Sequence, residues 1–457
     1  MLEDTIIAVA TPPGEGGLGI VRISGAMALA VAGRIFVSKG GDKMPYPVRR
    51  PLFGAIRDPE SEDTLDEAFL TYFKAPRSYT REDIVEISVH GSPAVLQAIL
   101  RIGTGEGARL ARPGEFTLRA YLNGRLDLVQ AQAVDDLIRS VSLDQARISS
   151  RQLGGSLSKR FRRLRTRVVD LISRIEARLE FPEDGIRAST RHDLKALAGL
   201  IDEVERLVAS HEAGRALAQG ITLAIVGRTN VGKSTLFNAL LEEDRAIVTP
   251  YPGTTRDLLR ERMTVEGLVF HLVDMAGLGK PTNPVETKGL ARGRKIAGDA
   301  DGLLIVLDGS RQAGEDDKRL ARRYQGKKAL VVLNKNDLPR KLSPEMLREL
   351  AGSRHVVEAS ALKGHNIDEL RSRIRAHFGP ASLDQEHDLV LHAWQKNALE
   401  GVLEALRKAR KILQSGRYEE IAAEEIRTAL SLLGELTGEV GAGEILDEIF
   451  GRFCVGK

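Results

Sequence analysis

The chain has 457 residues, 42% of them hydrophobic, and carries a formal net charge of +4 at pH 7. This length exceeds what one hydrophobic core usually serves and predicts roughly three domains. A single cysteine excludes an internal disulfide, speaks against a cysteine-ligated zinc site, and fits a reducing compartment.

The start of the chain, MLEDTIIAVATPPGEGG, has neither the basic residues nor the long apolar run of a secretion signal. No stretch approaches the length of a membrane span, which predicts no membrane insertion. These features predict a cytoplasmic protein. Its mild positive charge permits nucleic-acid binding without requiring it.

The first segment alternates short β-rich runs with turns. The runs are IIAVA, GIVRIS, FLTYF and DIVEISVH, and the turns between them include PPGEGG, KGGDKMPYP and APRSYT. This pattern predicts a mixed α+β domain with a substantial sheet.

Helical periodicity follows. Apolar residues recur at helical spacing from Leu126 to Val141, and again from Leu157 to Leu179. The second of these predicted helices has a basic face, formed by Lys159, Arg160, Arg162, Arg163, Arg165 and Arg167. Such a face is either a solvated surface or an RNA-contacting stripe, and the sequence leaves both open.

From about Gly220 to Gly379, apolar strands alternate with helices. The strands are ITLAIVG, LVFHLVD, GLLIVLD, ALVVLN and HVVEAS, and such continuous apolar runs are typical of buried parallel strands. The remaining chain returns to helices, including QKNALEGVLEALRKARKIL, EEIRTALSLLGELTG and EILDEIFGRF. We therefore predict a multidomain α/β plus α protein. Either one α/β domain is inserted into a discontinuous helical domain, or two separate helical domains flank it.

A phosphate-binding loop follows the first of these strands. The segment GRTNVGKS spans Gly227 to Ser234 between ITLAIV and the helical TLFNALL, which is the P-loop spacing in its strand-loop-helix context. Lys233 is expected to reach the β- and γ-phosphates, and Ser234 to ligate Mg²⁺.

Four further motifs predict that the nucleotide is GTP. Asp337 of NKND can accept both hydrogen bonds from the guanine N1–H and 2-amino group, which adenine cannot donate in that arrangement. SAL is the supporting base loop, DMAG holds a metal-supporting Asp and a γ-phosphate-sensing Gly, and GTTRD supplies Thr255 for Mg²⁺. The predicted GTP contacts are Asn230, Val231, Gly232, Lys233, Ser234, Thr235, Thr249, Thr254, Thr255, Asp274, Gly277, Asn334, Lys335, Asp337, Ser360, Ala361 and Leu362.

The residues that would catalyse GTP hydrolysis are less evident from the sequence than those that would bind GTP. No glutamine follows DMAG, so a Ras-like water-positioning group is missing there. The P-loop instead contains Asn230, which either helps to hold a cation beside the phosphates or merely forms a turn. The residues alone favour neither interpretation.

Over essentially its whole length the chain resembles the MnmE (TrmE) family of tRNA wobble-uridine modification GTPases. The resemblance is carried by the GTPase motifs and by DTIIAVATPPGEGGLGIVRISG, RSYTREDIVEISVHG, ARPGEFTLRAYLNGRLDLVQAQAVDDLI and GEILDEIFGRFCVGK. It implies an α+β N-terminal folate-binding and dimerisation domain at 1–120, a discontinuous helical domain at 121–217 and 381–457, and an inserted Ras-like P-loop GTPase domain at 218–380.

The resemblance also implies an activity. GTP hydrolysis and a one-carbon unit from 5,10-methylene-tetrahydrofolate, for which 5-formyl-tetrahydrofolate is an analogue, would build an aminomethyl or carboxymethylaminomethyl group at C5 of tRNA uridine 34. A homodimer would act with the flavoprotein MnmG (GidA), in a heterotetramer or larger assembly, and FAD and NADH would enter only through that partner.

The same resemblance implies the remaining site residues. K⁺ would occupy the position of an arginine finger and would be held by Asn230, Thr249, Tyr251 and Thr254. Glu286 would orient the attacking water, and folate would bind to Arg22, Glu86, Arg125 and Lys457. If the final helix packs its apolar face, the terminal CVGK would project from the core and carry a catalytic Cys454 toward folate. The plainer alternative for Cys454 is a small buried apolar residue.

Two rival functions remain at this point. A regulatory GTPase that binds ribosomes or RNA as an assembly switch would share the P-loop, DMAG and NKND. A folate-dependent transferase with a vestigial GTPase domain would share the folate residues, although every nucleotide motif is intact.

Overall fold

The computed structural model describes residues 4–41, 44–180, 190–241, 260–274, 295–380, 389–416 and 418–438, together with 446, 449–451, 453 and 456. The chain divides into two compact units. The first unit comprises Met1–Ile138, Ser150–Val204 and Asn397–Lys457, and the second unit comprises Arg139–Ser149 and Glu205–Lys396. The finer four-segment division stays a prediction.

A seven-stranded sheet forms the first part of the first unit, in the order β3-β4-β5-β6-β2-β1-β7. Its neighbours are antiparallel except for the parallel pair β1 and β7. All four predicted β-rich runs form strands. The strands are β1 (Ile6–Val9), β2 (Gly16–Ser24), β3 (Phe36–Ser38), β4 (Leu52–Arg57), β5 (Thr64–Phe73), β6 (Ile84–Gly91) and β7 (Arg109–Leu110).

Two helices pack on this sheet, α1 (Ala28–Ile35) and α2 (Pro93–Gly105). Pro93 at the start of α2 explains where that helix begins, because proline fits the first helical turn. The core between helices and sheet includes Val85 and Ile87 of β6 and Ile99 of α2, all fully buried.

A buried ionic cluster ties the next helix, α3 (Glu115–Leu122), to the sheet. The side chain of Arg119 is 1% exposed and donates to the Asp4 carbonyl at 2.8 Å, to the Asp4 carboxylate at 2.7 Å and to Glu115 at 3.2 Å. It also pairs with Glu82 at 3.1 Å. These bonds compensate the charge of a guanidinium that would be costly to bury alone, and they leave only its Nε without a hydrogen-bond partner.

Four more helices continue the chain: α4 (Leu128–Arg139), α5 (Leu143–Leu153), α6 (Ser156–Glu180) and α7 (Thr190–Gln219). The periodicity predicts the buried face of α6 well from Leu157 to Ile175, whereas Leu179, the last residue predicted on that face, is half-buried. The expectation for α4 is wrong at its end. Ile138 is 44% exposed, and Val141, 45% exposed, lies beyond the last helical residue.

The basic face of α6 forms ion pairs within the first unit. Arg160 and Arg167 both pair with Glu203, and Arg162 lies 3.5 Å from Asp127. These pairs favour the solvated-surface interpretation over an RNA-contacting stripe.

The second unit contains a six-stranded sheet in the order β13-β12-β11-β8-β10-β9, parallel except for the antiparallel pair β9 and β10. The five predicted apolar runs supply all of its parallel strands, and β11 and β12 are buried along almost their whole length. The strands are β8 (Ile221–Val226), β9 (Arg260–Val265), β10 (Leu268–Asp274), β11 (Gly302–Asp308), β12 (Ala329–Asn334) and β13 (Val356–Glu358).

The described helices that accompany this sheet are α8 (Lys233–Leu241), α9 (Glu315–Arg323), α10 (Pro344–Ala351) and α11 (Ile367–Phe378). They are followed by α12 (Ala393–Gln414) and α13 (Glu419–Thr437), the latter packed along α6. None of the helices described here is long and apolar enough to cross a membrane. The carboxyl ends of β8, β10, β11 and β12 meet at one edge of the sheet, where α/β proteins bind ligands.

Candidate functional site

The loop between β8 and α8 has the backbone of a phosphate-binding loop. A Cβ on Gly232, whose φ is +95°, would lie 2.4 Å from Nδ2 of Asn334. A Cβ on Gly227 would lie 2.6 Å from the carbonyl oxygen of Val306. Glycine is therefore required at both positions by close approach, and the loop leads into the amino terminus of α8, where backbone N–H groups favour anions.

Lys233 is held inside this loop. Its Nζ donates to the Arg228 carbonyl at 2.7 Å, and its side chain is buried. Burial lowers the pKa of Lys233, and the charge of Asp274 at the end of β10 opposes that effect. A phosphate in the loop would give this buried ammonium a charged acceptor. Ser234 and Thr235 are exposed on the first turn of α8, so their hydroxyls are accessible to a metal or a phosphate.

Asn334 joins the phosphate loop to the predicted base loop. Its Nδ2 donates to the Val231 carbonyl at 2.8 Å, and its Oδ1 accepts from the backbone N–H of Ala361 at 3.0 Å. Asn334 itself is 2% exposed. The amide therefore fixes the spacing between the loop that would hold phosphates and the loop that would support the base.

Lys335 makes a second connection. Its Nζ donates to the Asn230 carbonyl at 2.9 Å and to Oδ2 of Asp308 at 2.7 Å. Burial would raise the pKa of Asp308, but hydrogen bonds from Lys335 and Ser310 hold it below its ordinary value. Sequence analysis missed Asp308. Asp308 could have been found from its position, because it ends the strand sequence GLLIVLD as Asp274 ends the strand sequence LVFHLVD.

The carboxylate of Asp337 is prepared to accept hydrogen bonds. Oγ of Ser360 donates to its Oδ1 at 2.5 Å, and this bond is the main cause that lowers the pKa of Asp337. The group is therefore ionised at neutral pH and can only accept. Leu362, two residues after Ser360 in the predicted base loop, is 76% exposed and offers an apolar surface.

A second group of predicted residues meets in the first unit. Arg22 and Glu86 are direct partners in the register of β2 and β6, and the Arg22 guanidinium reaches Oε1 of Glu86 at 2.7 and 2.8 Å. Nη1 of Arg22 also donates to the carbonyl of Gly456 at 3.3 Å. Gly456 therefore lies against a residue pair whose members, Arg22 and Glu86, are 434 and 370 positions earlier in the sequence.

The described residues near the chain end, Phe453 and Gly456, are buried. For Gly456 this differs from the expectation that the terminal CVGK projects from the core. Gly456 is buried, has a φ of +95°, and a Cβ there would lie 2.1 Å from the Val9 carbonyl oxygen. Phe453 is 5% exposed and its ring lies 5.6 Å from that of Phe450. The apolar face expected of the last helix is thus buried at these two phenylalanines, and Gly456 is buried instead of projecting from the core.

Arg125 is connected to Arg22 by the ring of Tyr79, which both arginines contact. Sequence analysis did not single out Tyr79. The Cζ atoms of Arg125 and Arg22 lie 4.6 and 5.8 Å from the centroid of the Tyr79 ring. Nη1 of Arg125 donates to the Tyr79 carbonyl at 2.8 Å. The aromatic ring therefore connects two cations that sequence analysis predicted separately.

Several predicted residues lie outside the described residues. They are Thr249, Tyr251, Thr254, Thr255, Gly277, Glu286, Cys454 and Lys457.

The fold of the second unit, its phosphate loop and its base loops define a P-loop GTPase. Two family models match the chain: "GTP-binding protein TrmE N-terminus" over residues 5–125 and "MnmE helical domain" over residues 128–454. The chain belongs to the MnmE family of tRNA modification GTPases, and the predicted fold class, an N-terminal TrmE domain, a helical domain and a Ras-like GTPase domain, is confirmed.

Curated relatives match over the full length. The tRNA modification GTPase MnmE of Symbiobacterium thermophilum is 41% identical over 462 residues, that of Koribacter versatilis 40% over 460, and that of Thermoanaerobacter pseudethanolicus 38% over 461. In each case the alignment covers 100% of both chains. The chain is accordingly a GTPase of tRNA modification.

Proposed function

We propose that this GTPase acts with the flavoprotein MnmG (GidA) to add a carboxymethylaminomethyl or aminomethyl group to C5 of tRNA uridine 34. The first unit binds 5,10-methylene-tetrahydrofolate, which supplies the one-carbon unit when bound. FAD and NADH enter through the partner. The protein works in the cytoplasm as a homodimer, within a heterotetramer or larger assembly with MnmG.

The observation that carries the folate part of this proposal is the bridge made by Arg22. One guanidinium joins Glu86, a proposed folate residue, to the carbonyl of Gly456 near the chain end. Cys454 lies two residues before Gly456 in the sequence, and Lys457 follows it directly. A thiol and a second cation beside a folate site are suited to one-carbon chemistry, and this proximity supports a shared site.

The residues have the chemistry that folate requires. Arg125 and Lys457 bind the glutamyl carboxylates, and Glu86 accepts hydrogen bonds from the donor edge of the pterin. Arg22 orients Glu86 and holds the chain end. Cys454 acts as the nucleophile, or as the acid or base, toward the uracil or the one-carbon unit. Glu86 is 27% exposed at its side chain, so a ligand can reach it.

In the GTPase domain, two copies pair face to face and a bound K⁺ supplies positive charge beside the phosphates. Asn230 fits the role of a K⁺ ligand. Its backbone carbonyl is engaged by Lys335, its φ is +65°, and the residue is exposed, which leaves the side-chain oxygen for a cation. Glu286 orients the attacking water. The other proposed metal contacts are Ser234 and Thr255 for Mg²⁺ and Thr249, Tyr251 and Thr254 for K⁺.

Calorimetric titration with 5-formyl-tetrahydrofolate tests the folate proposal. The protein should bind it, and Arg22→Gln should raise Kd by about tenfold or more, since hydrogen bonds to charged groups contribute about 1.5–3 kcal/mol. Arg101→Gln is the matched control, because this arginine forms only an exposed pair with Asp58 in the same unit. Absence of binding, or equal loss in both variants, would contradict the proposal.

GTP turnover in K⁺ and in Na⁺ tests the cation proposal. Hydrolysis should be faster in K⁺, and gel filtration with a transition-state analogue should show pairing of the GTPase domains only in K⁺. Equal turnover in both salts would reject the bound K⁺, whatever the result for folate.

A further inference from the structure

A basic groove adjoins the proposed folate residues in the first unit. It has a volume of about 580 Å³, and its lining includes four arginines, Arg49, Arg77, Arg81 and Arg125, together with Tyr79. Only one of the four, Arg125, is among the proposed folate residues. The other three have no role in the activity proposed above.

Within the part of the chain that the structure describes, no carboxylate pairs with the arginines of the groove. Three of them donate to backbone carbonyls, which fixes them without neutralising them: Arg49 to Arg77 at 2.7 Å, Arg81 to Asn123 at 2.8 Å and Arg125 to Tyr79 at 2.8 Å. Arg77 is exposed on the same groove. Among the described residues, none of the four forms an ion pair, whereas Arg22, Arg119 and Arg160 each pair with a carboxylate.

Two of these arginines also have unusual backbones. Arg49 has a φ of +59° and Arg81 a φ of +61°, in the left-handed region that residues other than glycine rarely adopt. Residues held in this region cost free energy and persist where the surroundings fix them, often at ligand sites. The backbone at these two arginines is therefore fixed by its surroundings.

We propose that this groove binds the γ-linked glutamyl tail of a poly-γ-glutamylated folate. The inference rests on the proposed folate site, since Arg125 and the Tyr79 ring connect the groove to Arg22. Each added γ-glutamyl residue brings one α-carboxylate, and guanidinium groups bind carboxylates through paired hydrogen bonds. A folate whose first glutamyl group is held at Arg125 would extend its next carboxylates toward Arg77 and Arg81.

A nucleic-acid phosphate chain is the other polyanion to consider. Phosphate contacts usually spread along an extended basic face, because the backbone is long and regularly charged. Here the four cations line one open groove of limited size that shares Arg125 with the folate residues. This arrangement favours a short tail that is joined to a small molecule.

The test compares folates of different tail length. Kd is measured by calorimetry for 5-formyl-tetrahydrofolate monoglutamate and pentaglutamate, with the full-length protein, Arg77→Gln and Arg77→Gln/Arg81→Gln. The control variant, Arg57→Gln/Arg101→Gln, removes two exposed charges from the same unit outside the groove. Binding of tRNA to every variant is measured in parallel by filter retention.

The pentaglutamate should bind the full-length protein about tenfold or more tightly than the monoglutamate. Both groove variants should lose this advantage while they keep monoglutamate affinity, and the control should keep it. Equal affinity for the two folates in the full-length protein overturns the inference and leaves the folate site intact. No binding of either folate overturns both. An unchanged tail advantage with weaker tRNA binding in the groove variants would assign the groove to RNA and overturn the inference.

Discussion

Gly456→Ala displaces the chain end without removing any side chain of the proposed site. The new Cβ would lie 2.1 Å from the Val9 carbonyl oxygen, and the φ of +95° is strained for alanine. Such a backbone costs about 1–3 kcal/mol before the overlap is added. The bond from Arg22 to the Gly456 carbonyl contributes about 1.5–3 kcal/mol. Because cost and contribution are comparable, we expect the end to leave Arg22 in much of the population.

The assay is calorimetric titration with 5-formyl-tetrahydrofolate, with thermal unfolding as the folding control. A penalty of about 1–3 kcal/mol raises Kd by about 5- to 150-fold if the docked end is part of the site. Gly107→Ala is a matched control. Its φ is +99°, but a Cβ there has no atom within 4 Å, so it tests the same strain without the overlap. Equal affinity in the two variants would refute the role of the docked end.

Three further changes probe the supporting residues. Asp308→Asn should raise the Kd for GTP by about tenfold, since Lys335 loses the charged partner that fixes it beside the phosphate loop; fluorescent-nucleotide titration measures this. Arg119→Met should destabilise the first unit by about 1–3 kcal/mol in denaturant unfolding, because Asp4, Glu82 and Glu115 lose a buried cationic partner while Arg109 still pairs with Asp4 and Glu115. Ser360→Ala should move the acid limit of GTP binding to higher pH, since it removes the main bond that lowers the pKa of Asp337.

Each of these changes has a clear contrary outcome. Unaltered GTP affinity in Asp308→Asn, as in the control Asp299→Asn at an exposed carboxylate of the same unit, would show that Lys335 needs no carboxylate. A loss below about 1 kcal/mol in Arg119→Met would place that cluster among weak surface pairs. An unshifted pH profile in Ser360→Ala would mean that the guanine contact does not depend on ionised Asp337.

The sequence predicts the second unit more completely than the first. Parallel strands buried on both faces require continuous apolar runs, and so ALVVLN and GLLIVLD are visible without any structure. The P-loop and NKND are local motifs whose roles depend on residues next to one another. Asp308 escaped notice because its partner, Lys335, is 27 positions away and acts through space.

In the first unit, long-range proximity decides the site. No local pattern indicates that the Gly456 carbonyl accepts a hydrogen bond from Arg22, 434 positions earlier, or that Tyr79 lies between two arginines. Periodicity also failed at Ile138 and Val141, because it records which residues are apolar but not where the helix ends. Helix ends are the least determined feature of such patterns.

Mass analysis of wobble nucleosides in tRNA from cells that lack this protein, with and without the gene restored, tests the proposed modification activity most directly. C5-substituted uridine 34 should disappear without the protein, return with the full-length chain, and stay low with Gly456→Ala but not with Gly107→Ala. Unchanged C5 substitution in the cells without the protein would refute the proposed activity and would favour a regulatory GTPase that performs no modification.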